Sequence, residues 1–294
     1  MELNNAIPDG FAQGGRLRRL AVPLTWAVCR WTAAVRMLPG FIIIGAQKSG
    51  TTSLCTQLFR HPQVRAPRRK EIHFFDSPEY ANGMSWYGAH FPLQIARASG
   101  RSSETAKQIT GEASPYYLCH PHAPRRVFEV LPNVKLIVML RNPVDRALSH
   151  YNHQVRMGRE PLTFEQAIDA EPERLAGERE RMISDPDYYS YEWWAHSYLA
   201  RGRYAEQLEL WGALFRPEQM LVIRSEDYFN DPRAEFMKTL DFLELDRFDL
   251  ESYGKQNVGD YDGMSTHVRQ KLGAYFQPRN KLLYELLARD FGWD

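Results

Sequence analysis

The chain has 294 residues, 44% of them hydrophobic and 25% charged, with no apolar run near the ~20 residues a membrane-spanning helix needs. That composition excludes a wholly disordered chain and an ordinary transmembrane protein, and the length suits one large α/β domain or two small ones. With 37 Lys+Arg against 36 Asp+Glu the net charge is +1, so bulk charge argues for neither a nucleic-acid polymer nor an acidic membrane, and any anion site must be local.

Residues 1–40 stand apart as an N-terminal extension. A basic cluster of Arg16, Arg18 and Arg19 leads into the apolar run Leu20 to Cys29, which Arg30 and Arg36 then interrupt. A secretory signal peptide begins this way, with Thr32-Ala33-Ala34 as its cleavage site. The interrupting arginines beside Trp26 and Trp31 suit instead an amphipathic helix, packed on the domain or touching a membrane surface through residues 16–38; the packed helix is the expectation.

From Phe41 onward short apolar runs alternate with helical stretches. Residues 41–44, 135–140 and 220–223 are continuous and partly β-branched, the pattern of strands buried on both faces. Helices are expected over 51–60, 121–131, 143–157 and 204–215, and a further one to about Leu243 opens at the N-cap Asp231 before Pro232. Alternating strands and helices predict an α/β fold, a P-loop-type doubly wound parallel sheet flanked by helices, forming one domain over 41–294. Cys29, Cys55 and Cys119 are odd in number and lack metal-ligand spacing, so they read as buried small hydrophobes in a reducing compartment, with no disulfide framework or zinc site.

The strongest local signal is Gly45-Ala46-Gln47-Lys48-Ser49-Gly50-Thr51-Thr52-Ser53, between the first strand and the first helix. Backbone N–H groups at a helix start attract an anion, and Lys48 with the hydroxyls of Ser49, Thr51, Thr52 and Ser53 adds charge and donors. A nucleotide triphosphatase loop would place lysine directly after its second glycine, followed by a hydroxyl for magnesium; here Thr51 follows Gly50. No acidic residue closes the strands ending at Leu140 or Ile223. The cradle therefore suits a phosphate without the triphosphate and metal arrangement.

Arg141, leaving the strand 135–140, and Ser149, on the helix after Pro143, repeat the strand-to-helix logic and together suit a second phosphate. Between the two sites lies Arg68-Arg69-Lys70-Glu71-Ile72-His73-Phe74-Phe75-Asp76. On an extended strand Glu71 and His73 would share one side, and partial desolvation would raise the glutamate toward the ~6–7 that suits a general base.

These pieces in this order resemble the sulfotransferases that use 3′-phosphoadenosine 5′-phosphosulfate (PAPS), in particular a bacterial-type member of the carbohydrate branch that includes the heparan sulfate N- and 3-O-sulfotransferases. Gln47 to Leu54 is similar to the family's 5′-phosphosulfate loop, Arg141 to Ser149 to its 3′-phosphate site, and Lys70 to Asp76 to a K-E-x-H-F-F-D segment whose glutamate is taken as the catalytic base. Residues 85–92, 111–117, 202–211 and 275–280 also resemble family segments. In two places the chain departs from the pattern. Ala113 stands where the heparan enzymes usually carry lysine after the glutamate matching Glu112, and the disulfide-flanked closing loop has no counterpart cysteines, although Lys255 and Arg269 are candidates for that region.

The resemblance implies that Glu71 takes a proton from an acceptor hydroxyl or amine, with His73 as the orienting neighbour or the alternative base. Lys48 neutralises charge on the leaving bridge oxygen, residues 49–53 hold the 5′-phosphate, and Arg141 and Ser149 hold the 3′-phosphate. The 3′,5′-bisphosphate PAP is the product and no metal is required. Competing readings are a P-loop kinase acting on a small molecule and a non-catalytic nucleotide- or glycan-binding module. A glycan, a lipid-linked molecule or a small natural product would serve as acceptor, a lightly charged one ahead of a polysulfated one, with residues 159–194 selecting it. Trp86, Tyr87, Trp193, Trp194 and Trp211 read as core rather than sugar-stacking surfaces. A cytoplasmic location follows from the cysteines, at most peripheral to a membrane, with the Golgi lumen as the eukaryotic alternative.

Overall fold

The computed structural model describes residues 25–94, 108–254 and 264–293. Five parallel strands, β1 (Phe41–Gly45), β2 (Val64–Arg65), β3 (Ile109–Ala113), β4 (Lys135–Leu140) and β5 (Met220–Arg224), form one sheet in the order β2-β3-β1-β4-β5. Among the described residues the principal helices are α1 (Thr51–Leu58), α2 (Gly83–Gly88), α3 (Ala123–Val130), α4 (Pro143–Arg156), α5 (Phe164–Arg174), α6 (Glu178–Ser184), α7 (Tyr191–His196), α8 (Tyr204–Gly212), α9 (Ser225–Asn230), α10 (Pro232–Leu243) and α11 (Thr266–Leu287). The chain runs from β1 to one edge of the sheet and then crosses to β4 and β5 on the other side. The reversal places a ligand crevice at the carboxyl ends of β1 and its neighbours.

The period of two along β1 explains the layering. Ile42 and Ile44 point to one face and pack with Leu136, Val138, Leu140, Tyr117, Leu208 and Trp211; Phe41 and Ile43 point to the other and pack with Ile137, Met139, Leu54, Phe236 and Leu240. Helices start where the sequence supplies caps. The Asn142 side chain accepts from the Val144 amide at 2.9 Å and opens α4, and the Asp231 side chain accepts from the Ala234 amide at 3.0 Å and opens α10.

The three continuous apolar runs are strands as expected, but the third, β5, is an edge strand in which only Ile223 is buried, so burial on both faces holds for β1 and β4 alone. β2 and β3 have no such signal: β2 is two residues long, and β3 reads Ile-Thr-Gly-Glu-Ala. Residues 159–194, without a strand pattern, contain α5, α6 and part of α7. In the N-terminal stretch residues 25–31 are helical and lie on the domain, with the Trp26 ring 4.8 Å from His90 and Arg36 Nη1 donating to the Phe91 carbonyl at 2.6 Å. Tyr87 and Trp211 are wholly buried core, and the indole N–H of Trp211 donates to the Leu118 carbonyl at 3.2 Å. All three cysteines are free thiols.

Candidate active site

The phosphate loop begins at a bulge. The register of β1 on β4 shifts between Ile43 and Gly45, and the Ala46 amide donates to the Met139 carbonyl at 2.7 Å, so the chain leaves the sheet edge at a new angle. Lys48 then takes a left-handed φ of 72° and Gly50 one of 92°, folding the loop back into the start of α1. Gly50 is required twice over: its φ suits glycine, and an added Cβ would sit 3.0 Å from the Phe229 ring. No side chain caps the start of α1, so the Thr51 and Thr52 amides precede the first acceptor that the helix offers. Ser49 is fully buried, its carbonyl accepts from Ser225 Oγ at 2.8 Å, and its own hydroxyl has no partner.

The two predicted anion sites are joined. Arg141, one residue beyond β4, donates from Nη1 to the Lys48 carbonyl at 3.3 Å, while its own carbonyl accepts from Tyr204 at 2.8 Å. Ser149 is buried one to two turns into α4. On that helix Arg146, Ser149, His150, His153 and Arg156 recur at helical spacing, and the charges of Arg146 and Arg156 bear on Lys48 and on the two histidines. Burial, then the charges of Arg156 and Arg141, lower the Lys48 ammonium to about 8. Burial and the neighbouring cations also lower His153 to about 4 and push His150 well below its ordinary value, so both rings are neutral at pH 7. Arg146 has no exposed surface, and its Nε and Nη1 lack partners, as does His150 Nδ1. Orphaned donors beside a cluster of cations are what a bound polyanion would satisfy, so the residues present fit a phosphate-bearing nucleotide.

Sequence reasoning missed Arg146, His150, His153 and Arg156, although their spacing from Ser149 was a readable signal. It also missed Arg201, whose Nη1 donates to Gln47 Oε1 at 2.5 Å and whose Nη2 donates to the Trp193 and Trp194 carbonyls, bracing the residue next to Lys48. Of the two candidates for a closing loop, Lys255 lies outside the described residues. Arg269 is not on a loop: it sits in the first turn of α11 and pairs with Asp145 of α4 at 2.7 Å.

Glu71 and His73 do come together, but not on a strand. Both have left-handed φ, 58° and 55°, in an irregular segment pinned to the end of β3, where the Glu71 amide donates to the Ala113 carbonyl and the His73 amide to Ser114 Oγ. The segment is therefore not the alternating strand expected, and anchoring by β3 brings the side chains together instead. Lys70 Nζ lies 2.8 Å from Glu71 Oε1, His73 Nε2 lies 3.3 Å from Glu71 Oε2, and His73 Nδ1 lies 2.8 Å from Asp76 Oδ2. The expected rise in the Glu71 pKa is also reversed. Burial acts upward, but the His73 hydrogen bond and the Lys70 charge outweigh it and hold the carboxylate near 2. In His73 burial acts downward, and the Asp76 and Glu71 carboxylates overcome it, lifting the ring to about 10. A raised carboxyl stands behind this segment: burial pushes Glu112 up to about 7 against hydrogen bonds from Tyr87 at 2.6 Å and Ser114 at 2.9 Å.

These shifts set the pH dependence of stability. Glu71 contributes above its ordinary value near 4.5, a contribution lost as pH falls through about 2. His73 contributes fully below 6.5 and loses its contribution as pH rises toward 10, whereas Lys48, lowered to about 8, acts in the opposite sense only above that pH. Between pH 7 and 8 the thermal midpoint of the free protein should therefore fall, and His73→Gln should flatten that slope. An unchanged slope in the variant, read by calorimetry, contradicts a charged His73.

Comparison with known proteins agrees with this geometry. A family model described as "Sulfotransferase domain" matches residues 38–257. The chain is 32% identical to the membrane-associated sulfotransferase kil1 of Dictyostelium discoideum, over 87% of this chain and 66% of that protein. It is 30% identical to the heparan sulfate glucosamine 3-O-sulfotransferase 3B1 of Mus musculus, over 89% of this chain and again 66% of the relative. A crystal structure of a sulfotransferase from Alicyclobacillus acidocaldarius superposes with a TM-score of 0.62 at 34% identity, covering 87% of this chain and 98% of that one. The match of the family model along most of the chain settles the grouping: the chain belongs to the sulfotransferase family.

Proposed function

We propose that the chain transfers a sulfo group from PAPS to a hydroxyl or amine of a glycan-type acceptor, with residues 41–294 as one catalytic unit and residues 1–40 as an N-terminal extension. The observation that carries the reading is the convergence of the Lys48 loop and Arg141, joined at 3.3 Å, with the Glu71–His73–Asp76 chain near enough for the Glu71 charge to act on Lys48. The names of the heparan sulfate relatives favour a sugar acceptor. When bound, PAPS supplies a sulfur that bonds to the acceptor atom as its bond to the bridging oxygen breaks.

The residues of the chain divide the remaining work. The α1 amides and the hydroxyls of residues 49–53 hold the 5′-phosphate, and Arg141 with Ser149 holds the 3′-phosphate. Lys48 faces the bridging oxygen as it gains charge. Glu71 receives the proton of the acceptor, and His73, clamped by Asp76, fixes the carboxylate that does so.

Incubation of the protein with PAPS and a panel of neutral and acidic glycans, lipid-linked sugars and small hydroxyl compounds tests the reading. Mass spectrometry should detect a gained sulfo group on a sugar acceptor, and transfer to none of the panel would count against it. Arg141→Ala should weaken PAP by about 10- to 100-fold, the ~1.5–3 kcal/mol of a charged hydrogen bond, and leave adenosine 5′-phosphosulfate nearly unchanged. Equal losses in a calorimetric titration of both would remove Arg141 from the 3′-phosphate.

A further inference from the structure

The N-terminal stretch presents an inverted face. Trp26, Cys29 and Ala33 turn toward the domain: Trp26 packs on Trp86 and His90, Cys29 is buried and Ala33 lies against Gly88. Val28 and Trp31 of the helix, Val35 of the 3-10 turn Ala33–Val35 that follows and Leu38 beyond it are instead 50%, 87%, 56% and 45% exposed. An exposed tryptophan with three exposed aliphatic side chains is a surface that water does not favour.

The charge around it is one-sided. Between Asp9 and Glu71 the sequence has no acidic residue and eleven lysines and arginines, although the whole chain is balanced at +1. Arg30, Arg68 and Arg69 are exposed, and Arg68 Nη1 lies 3.2 Å from Cys29 Sγ, which places that cation against the helix. Among the described residues no helix is long and apolar enough to cross a membrane. The 24 residues that join the helix at Thr25 contain Arg16, Arg18 and Arg19 among Leu17, Leu20, Val22 and Leu24, the same mixture of cationic and apolar side chains.

We infer that the Val28–Trp31–Val35–Leu38 face docks on an anionic lipid surface, with the tryptophan at the headgroup level and the arginines against the lipid phosphates. A cationic rim around an apolar stripe favours this occupant over a second copy of the chain, which would set the arginines against one another. The docked helix also packs on the ring of Trp86, which stacks on Phe74 at 5.7 Å, and Arg68 is three residues from Glu71. On the transfer reading proposed above, lipid docking thus brings Glu71 to the membrane side of the protein, where a lipid-linked sugar would be presented.

Co-sedimentation of the full chain with vesicles of phosphatidylcholine and phosphatidylglycerol, without donor or acceptor, tests the docking apart from the transfer reaction. Binding is expected to the mixed vesicles, weaker to phosphatidylcholine alone and weaker at high salt. Trp31→Glu with Val35→Glu should reduce it tenfold or more with an unchanged thermal midpoint, and Arg30→Gln should reduce it about fivefold. The inference is overturned if the wild-type chain stays in the supernatant with anionic vesicles, if the double variant sediments as well as wild type, or if the exposed face is instead consumed in a dimer that the double variant dissolves.

Discussion

Lys48→Ala should lower turnover by about 10²–10³ while leaving the protein at least as stable as the wild type. The loss follows from charge: the leaving oxygen of a sulfo transfer becomes anionic, and a preorganised donor aimed at developing charge contributes about that factor. The retained stability follows from the same environment read the other way. Burial and the neighbouring Arg156 and Arg141 lower the ammonium to about 8, so the fold holds this charge at a cost, and truncation relieves it. The left-handed φ of 72° is no worse for alanine than for lysine. The free-enzyme kcat/KM should also decline as pH rises through about 8, because only protonated Lys48 can neutralise the leaving oxygen. Turnover within threefold of wild type, or a clearly lowered thermal midpoint, would contradict the assignment.

Glu71→Gln should cost about 10²–10⁴ in turnover, the usual range for a positioned general base, with PAP affinity nearly unchanged because the carboxylate does not belong to the cradle. The amide keeps the shape and an acceptor oxygen but cannot take a proton. Because the wild-type carboxylate is held near 2, the acid limb of the pH profile should not appear at the ordinary carboxylate value. Removing Glu71 also removes one of two partners of His73, so the imidazole should titrate below its value of about 10 while Asp76 keeps it above the usual 6.5. NMR titration of the His73 ring in both proteins reads this directly. Full activity in Glu71→Gln would transfer the proton to another group.

Much of the architecture was legible because buried parallel strands are written as unbroken apolar runs, as in Phe41–Gly45 and Lys135–Leu140. β3 was invisible for a physical reason: its central Gly111 and Glu112 break the run, and Glu112 is tolerated inside because Tyr87, 25 residues away, and the nearby Ser114 and Tyr117 supply hydrogen bonds. The cradle was legible as a local motif, since residues 45–53 form it almost alone. Arg201 was not, because its bond to Gln47 joins residues 154 positions apart. The direction of the Glu71 shift was missed because an alternating pattern shows which side chains share a face but not the backbone turn that lets His73 and Lys70 both reach one carboxylate.

The carboxyl edge of the sheet has a consequence for how activity is lost. The cradle hangs from β1, Arg141 follows β4, Ser225 beyond β5 holds the Ser49 carbonyl, and Ala113 and Ser114 at the end of β3 hold the Glu71 segment. A slip of one residue on any of these strands would carry its contribution about 3.3 Å out of place. The site, as far as the described residues form it, is therefore a composite of four strand ends, each tied to the sheet. Amino-acid changes in the sheet core should reduce the fraction of working molecules rather than the speed of each, and heat should extinguish catalysis and fold in a single transition.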